Sequence, residues 1–535
     1  MKKLIAASLL GIFSFTTIIA QEKTKPNVLF IAVDDLKPVL GCYGNTLVKT
    51  PNIDRLAKMG TVFQNNYCQQ SVCGPTRASL LTGMRPDYTK IRDLKTKMRD
   101  MNPDIVSLPE YFISQGYTTS GVGKIFHPSC VDKKVDPQSW SVPFFFAKDS
   151  DYANGAPVKK HYQAPELKAL QANEDAANNE GKEKKKLKKE DLDEDGGSAR
   201  GPAFECLDLP DNAYEDGVTA LIAQKQIMKL SQENKPFFMA VGFHKPHLPF
   251  VSPKKYWDLY NREDMPVAEF QEHAANGKTF QYQYPGEMTN YSGVKEFAKF
   301  DKNDNNEFGL AIDKQKELLH AYYAAVSYID AQVGILLNTL EKSGTLDTTI
   351  IVLWGDHGWH LGDHDMWGKH TNFEQSTRAP LIIAAPGLNG GQSKSMTEFV
   401  DVFPTLCELS GSVVPTYLDG KSLVPVMKNN KVSVKEYAMS QYARKMPKSD
   451  IKKEDGKGKL MGYSMRTSQY RYTVWLKDFT SDQVYNADKV YAKELYDYDK
   501  DPLEKVNVSD DKKYASIAAD LDKKMVVYFK SKEIK

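Results

Sequence analysis

Residues 27–35 read NVLFIAVDD and residues 348–358 read TTIIVLWGDHG. Each begins as an unbroken apolar run rich in branched side chains, the pattern of a strand buried on both faces in a parallel sheet. KPFFMAVGF (235–243) and APLIIAAPG (379–387) read the same way. Helical patterns lie between them. NIDRLAKMG (52–60) starts on a capping Asn52 and stops at Gly60, LPEYFISQG (108–116) ends on Gly116, and the long amphipathic stretch 317–344 closes on Gly344. Strands alternating with helices predict an α/β fold, a large doubly wound sheet spanning residues 21–430. The texture then changes. GYSMRTSQYRYTVWL (462–476) alternates with period two, and SIAADLDKKMVVYFKS (516–531) reads as a terminal helix. A smaller α+β subdomain is therefore expected over 431–535.

The bulk properties narrow the function classes. The chain has 535 residues, 41% of them hydrophobic and 26% charged, as in a globular protein with a sizeable core. A formal net charge of +2 gives no global field that selects nucleic acid. MKKLIAASLLGIFSFTTIIA (1–20) has the lysine-rich start, short apolar run and small terminal residue of a secretory signal, which implies a periplasmic or secreted protein. No later segment is long and apolar enough to span a bilayer. Six cysteines in an exported chain of this length leave room for one or two bridges, with Cys130–Cys206 the expected pair. The mixed-charge stretch 173–200 reads as an insertion, either a surface loop or a solvated helix ending in one. DKNDNNEFG (301–309) has the oxygen-rich look of a calcium loop but lacks the terminal glutamate of an EF-hand.

The chemistry gathers at strand ends. In open α/β sheets ligands sit beyond the carboxyl ends of the strands. Asp34–Asp35 and Asp356–His357 both fall there, and carboxylates crowded together call for a cation such as Ca2+ or Mg2+. The plainer reading is that each pair caps a following turn. Further along, GVGKIFHP supplies Lys124 and His127, GFHKPHLPF supplies His244, Lys245 and His247, and DHGWHLGDHDMWGKH supplies Trp359, His360, His364, Lys369 and His370. Repeated His and Lys at separate strand exits suit a cleft for a tetrahedral oxyanion, sulfate or phosphate. Its nucleophile would be Cys73, which heads CGPTR (73–77) where a helix amino end favours negative charge. Pro75 suits the first turn, and Arg77 follows one turn later. The bland alternative is that Cys73 fills the core.

CGPTR followed by ASLLTGMRP resembles the sulfatase signature C-x-P-S/T-R with its trailing L-T-G. DDLKPVLGCYGN, TPNIDRLA, GVGKIFHP, VGFHKPHLPF, SYIDAQVG, DHGWHLGDHDMWGKHTNFE and DVFPTL recur in order in iduronate-2-sulfatase-like members of the type I, formylglycine-dependent family. ELYDYDKDPLEKVNV (494–508) resembles the usual closing segment. The resemblance implies an alkaline-phosphatase-like mixed sheet and oxidation of Cys73 to formylglycine by a formylglycine-generating or anaerobic sulfatase-maturating enzyme. It implies one Ca2+ held by Asp34, Asp35, Asp356 and His357 together with the residue made from Cys73. Of the hydrated aldehyde's two hydroxyls, one attacks sulfur; His127, as base, then deprotonates the other so that sulfate leaves. Arg77 and Lys124 hold the nucleophile's charge, His244 and Lys369 grip the sulfate and assist the leaving alcohol, and Trp359 and His364 approach the sugar. The implied substrate is a uronic-acid-containing sulfated polysaccharide or its oligosaccharides, of glycosaminoglycan or algal ulvan type, with another sulfated algal glycan left open. A metal-dependent phosphatase or phosphodiesterase of the same superfamily, or a glycan-binding protein that keeps the fold without turnover, are the other readings.

Overall fold

The apolar run at 27–33 forms the strand β1 (Asn27–Val33) at the heart of a seven-stranded sheet. The structure, a computed structural model, describes residues 25–179, 200–294, 308–452, 458–477 and 485–533. The expected leader, most of the 173–200 insertion and all but the last two residues of 301–309 lie outside the described residues; the insertion's first residues continue a helix, Pro165–Asn179. The other strands of the large sheet are β2 (Thr61–Tyr67), β3 (Thr118–Gly123), β4 (Phe237–Phe243), β5 (Thr349–Gly355), β6 (Leu381–Ala384) and β7 (Gly391–Glu398). Their spatial order is β7-β2-β6-β5-β1-β4-β3. β1 pairs in parallel with β4 and β5, and β3 pairs in parallel with β4.

β6 departs from the expectation of a parallel strand: it runs antiparallel to both β5 and β2. The cause is topological. After β5 the chain makes only short elements before Leu381, so it re-enters the sheet from the end at which it left. That returning loop carries residues 356–378, which include much of the predicted site.

Alternation along β1 feeds two cores. Leu29, Ile31 and Val33 face α1 (Pro51–Met59), α4 (Glu215–Leu230) and α5 (Ile312–Lys342). Val28, Phe30 and Ala32 face α2 (Cys73–Thr82) and α3 (Leu108–Ser114). α1 opens at Pro51 after Thr50, one residue before the expected Asn52 cap. Proline costs nothing at a first helical position, where the amide hydrogen is orphaned anyway. The remaining orphan donors, the Asn52 and Ile53 amides, go to Asp330 of α5 at 3.0 and 2.7 Å.

All six cysteines are free, which overturns the Cys130–Cys206 pairing. Cys130 belongs to the core beside α2, while Cys206 follows Phe204, which packs on the opposite core, so the sheet separates them. The Cys130 thiol lies 3.5 Å from the Asp93 carbonyl oxygen.

The C-terminal region is a four-stranded antiparallel sheet of β8 (Tyr437–Lys445), β9 (Lys459–Thr467), β10 (Tyr470–Lys477) and β11 (Val490–Asp497), as the period-two pattern predicts. α6 (Ala515–Glu533) covers one face through Leu521, Met525, Tyr528 and Phe529. Glu374, on the returning loop, joins the two sheets. It accepts from Arg466 at 3.2 Å, from Arg471 at 2.5 Å and from the Tyr67 hydroxyl at 3.0 Å. Burial acts to raise its carboxyl pKa, but Arg466 and Arg471 outweigh that and bring it to about 2.

Replacing Glu374 with alanine takes from the buried Arg466 its carboxylate and leaves Arg471 with Glu504 alone, and is expected to cost about 3 kcal/mol in urea denaturation. Since the folded carboxyl titrates below its ordinary 4.5, its contribution is complete above that pH and is lost as pH falls toward 2. The gap between wild type and Glu374→Ala should therefore narrow across that window.

Candidate active site

The loop ends of β1 and β5 lie side by side, and their polar residues are interlocked. The Asp35 amide donates to Asp356 Oδ1 at 3.0 Å, and the His357 amide donates to the same oxygen at 3.1 Å. Asp35 sits at φ 55°, a turn that brings its carboxyl back over the strand ends. Its carbonyl accepts from the Tyr322 hydroxyl of α5 at 2.7 Å.

Cys73 is the first residue of α2, and the sulfur is inserted among these groups. Sγ is 3.3 Å from His357 Nε2, 3.6 Å from Lys369 Nζ and 3.9 Å from Asp35 Oδ1. One turn on, Arg77 is completely buried and satisfied. Nη2 donates to Asp34 at 2.8 Å, Nε to Asp356 at 3.0 Å, and Nη1 to the carbonyls of Lys124 and Ile125 at 2.5 and 3.0 Å. Lys124, just after β3, donates to the other Asp34 oxygen at 2.6 Å. Lys369 reaches both Asp35 oxygens, at 3.0 and 3.2 Å.

The two neighbouring aspartates titrate in opposite directions. Burial acts to raise Asp34, but Lys124, Arg77 and His247 outweigh it and hold the carboxyl well below the usual range. Burial raises Asp35 well above that range; Lys369 opposes, while Asp34, Asp356 and Glu287 add to the rise. Asp35 is thus a buried carboxyl short of positive charge.

Donor atoms of Asp35, Cys73, Asp356 and His357 all lie within 4.8 Å of one another. His357 Nδ1–H donates to the Gly358 carbonyl at 2.9 Å, which leaves Nε2 bare toward the cluster. Burial lowers its pKa and keeps the ring neutral. Oxygen-rich donors plus one bare imidazole nitrogen fit a divalent cation. The thiol itself fits poorly as a working nucleophile. Burial and then Asp34 push Cys73 well above its ordinary value, so little of it is thiolate.

The outer residues vary in placement. His127 is buried beyond Lys124, with Nδ1 3.7 Å from Cys130 Sγ. His244 is half-buried at the end of β4. Its amide donates to Asp216 at 2.7 Å, and Nδ1 is 3.6 Å from Glu215. Burial and Lys124 hold it well below the ordinary histidine value. Trp359 and His364, expected against the sugar, are both buried instead. The Trp359 ring lies 5.2 Å from the Lys369 ammonium, and His364 stacks on Phe373 at 4.4 Å. The loop folds their apolar faces inward, so they back the site rather than line its surface.

Two groups enter the site that sequence reasoning left without a role. His247 Nε2 is 3.8 Å from Asp35 and 3.4 Å from Glu287, and Glu287 is also 3.8 Å from Lys369. His247 stood in the HKPH motif; Glu287 belongs to a one-turn helix, Gly286–Thr289, with no pattern to mark it.

Residues 26–412 match the family model described as sulfatase. The chain belongs to the sulfatase family. It is a sulfuric ester hydrolase. Residues 362–531 of this sulfatase match the C-terminal model of N-sulphoglucosamine sulphohydrolase. Human iduronate 2-sulfatase is 33% identical, with 91% of each chain covered. A sulfatase of Formosa agariphila is 30% identical over 93% of this chain and 86% of its own. Among solved structures, the phosphonate monoester hydrolase of Agrobacterium radiobacter superposes with a TM-score of 0.65 at 24% identity, covering 95% of this chain and 96% of that one. The sulfatase fold is thus the alkaline-phosphatase-like mixed sheet with a C-terminal domain that the resemblance implied.

Any Cys73 left as a thiol should resist iodoacetamide at pH 8 in the folded sulfatase, reacting about 100-fold or more slowly than in urea. Equal rates, followed by mass spectrometry of the Cys73 peptide, would show an open thiolate instead.

Proposed function

We propose that this sulfatase is exported and removes sulfate from uronic-acid-containing saccharides, of the kind named in its human relative. Cys73 is converted to formylglycine by a formylglycine-generating or anaerobic sulfatase-maturating enzyme, and Asp34, Asp35, Asp356 and His357 hold Ca2+. The observation that carries the reading is Cys73 at the start of α2, 3.3 Å from His357 and 3.6 Å from Lys369, between the ends of β1 and β5. When bound and formed, the cation and the hydrated aldehyde supply charge neutralisation and an oxygen nucleophile that a buried thiol lacks.

The chain's own groups do the rest. Arg77 holds Asp34 and Asp356 in place, because each of its nitrogens has a fixed acceptor, and its charge helps to keep Asp34 ionised. Lys124 and Lys369 flank the Cys73 position and offer positive charge to the sulfate oxygens. Trp359 lies under Lys369 and limits where its ammonium can move, while His364 stiffens the same loop through Phe373. His244 lies within the field of Lys124. The negative charge of an arriving ester opposes the burial and the Lys124 field that keep it neutral, so it gains a proton to pass to the departing alcohol. His127 takes up the proton released when sulfate leaves.

In protein made with a maturating enzyme, the Cys73 peptide should be lighter by about 18 Da, the difference between CH2–SH and CHO. Cys73→Ala should lower 4-nitrophenyl sulfate turnover at least about 1,000-fold while circular dichroism stays native. An unmodified thiol in active protein would reject the assignment. Ca2+ at roughly 100 times its Kd should stabilise the wild type by about 2.7 kcal/mol in thermal denaturation, reversibly with EDTA, and should leave Asp356→Ala unmoved. His244→Ala should slow sugar sulfates about 100-fold more than 4-nitrophenyl sulfate, whose leaving group needs no proton. Equal losses on the two would remove His244 from that role.

A further inference from the structure

Arg444, on β8, is a half-buried cation that the chemistry above leaves unused. The buried arginines elsewhere meet acids: Arg77 with Asp34, Arg85 with Glu398, Arg99 with Asp136, and Arg466 and Arg471 with Glu374. Arg444 meets none within ion-pair distance among the described residues. Nη1 donates to the Ala443 carbonyl at 3.1 Å and Nη2 to the carbonyls of Gln281, at 3.3 Å, and His370. Nε has neither an acceptor nor contact with solvent. The acid whose field reaches it, Glu494, is turned to Trp475 Nε1 at 2.5 Å and to the Tyr496 hydroxyl at 3.2 Å. Burial moreover raises that acid to about 7, so it offers little charge. A partly desolvated guanidinium without a counter-ion carries a cost that an arriving anion offsets.

The surroundings say where that anion belongs. β8 is docked on the segment leading into α2: the Ser440 hydroxyl donates to the Cys68 carbonyl at 2.6 Å, and the Gln441 amide to the Gln69 carbonyl at 2.8 Å. The carbonyl that Arg444 holds is that of His370, and the preceding residue is Lys369, whose ammonium lies 3.6 Å from Cys73 Sγ. The Tyr442 ring is 4.5 Å from the guanidinium carbon, and the His370 ring stacks on Tyr442 at 5.7 Å and 28°. A planar cation beside two flat rings, one residue from the sulfate-facing lysine, is the kind of surface that takes a charged sugar.

We propose that Arg444 binds the carboxylate of a uronate unit in the saccharide, with Tyr442 and His370 forming the surface on which the sugar ring lies. The assignment rests on the uronate reading above and deepens it. It makes the C-terminal sheet a part of substrate recognition as well as of the fold. Burial holds the Arg444 guanidinium below its ordinary value, the direction expected of a cation awaiting its partner.

The test compares a sulfated uronate disaccharide with its carboxyl-reduced counterpart, for the wild type, Arg444→Gln and Arg444→Lys. Folding is checked by circular dichroism and thermal midpoint. The wild type should prefer the uronate substrate in kcat/KM. Arg444→Gln should lower that preference by about 10- to 100-fold, mainly through KM, and Arg444→Lys by less. An unchanged preference would overturn the proposal. Calorimetry of the uronate disaccharide on Cys73→Ala and on Cys73→Ala/Arg444→Gln gives a reading independent of turnover. Binding weakened by about tenfold or more in the double variant supports the arginine's role; equal binding, or none in either protein, overturns it. A wild type that cleaves 4-nitrophenyl sulfate but neither disaccharide would reject the proposed substrate, and the calorimetric pair would still decide Arg444.

Discussion

The guanidinium of Arg77 lies between Asp34 and Asp356, the residues that follow two neighbouring parallel strands, and stands 5.4 Å from the ring of Trp354. Neither carboxylate has solvent contact. Two ionised acids at adjacent strand ends repel strongly in such surroundings, and desolvation penalises each of them further. A single planar cation with five donors can meet both and still satisfy its remaining edge on the backbone carbonyls of Lys124 and Ile125. A lysine would make no such fork. The arrangement ties β1 and β5 to the loop after β3 and to α2, and so fixes where Cys73 stands. Buried ion pairs are poor sources of net stability, and this one is better understood as setting geometry.

The direction of the chain after β5 supplies the other half of the site. A crossover helix at that point would have carried residues 356–378 away from the strand ends. Instead the loop turns back into antiparallel β6, passes over the ends of β1 and β5, and sets Lys369 on Asp35. The same loop offers Glu374 to Arg466 and Arg471, so the C-terminal sheet is anchored by the segment that completes the site. Activity and the union of the two sheets therefore share one piece of chain, whose position relative to β5 is held by short-range pairing.

The legible parts of this arrangement are those encoded by neighbours in sequence. An apolar run ending in Asp34 and Asp35 announces a strand and its polar tip together, and CGPTR announces a helix start with Arg77 one turn inside it. What needs distant chain to come together was not legible. Glu287 acquires its place only because its segment packs against His247 and Lys369. The direction of β6 depends on a return path, not on its own four residues. The family resemblance placed Trp359 and His364 against the sugar; their rings pack inward, Trp359 beside the Lys369 ammonium and His364 on Phe373, through contacts that no single motif encodes. Cys130 and Cys206 could be counted in the sequence, but the sheet that lies between their cores could not.

Charge balance argues for a sulfate ester over a phosphate monoester in this pocket. Around Cys73 the acids Asp34, Asp35 and Asp356 face the cations Arg77, Lys124 and Lys369, while the nearby imidazole of His357 is kept neutral by burial. Glu287, 3.8 Å from Lys369, adds a fourth carboxyl, and Asp35 is the one whose ionised form burial and its acidic neighbours oppose. A bound divalent cation would favour the ionised form of Asp35, and four carboxylates, three side-chain cations and the metal would then sum to one net positive charge. A sulfate monoester carries a single negative charge and restores neutrality, whereas a phosphate monoester dianion overshoots it in a desolvated site where each uncompensated charge is expensive. On that count Glu287 bears on the discrimination even though it stands behind Lys369 and His247: its carboxylate would set the number of charges that the substrate has to complete.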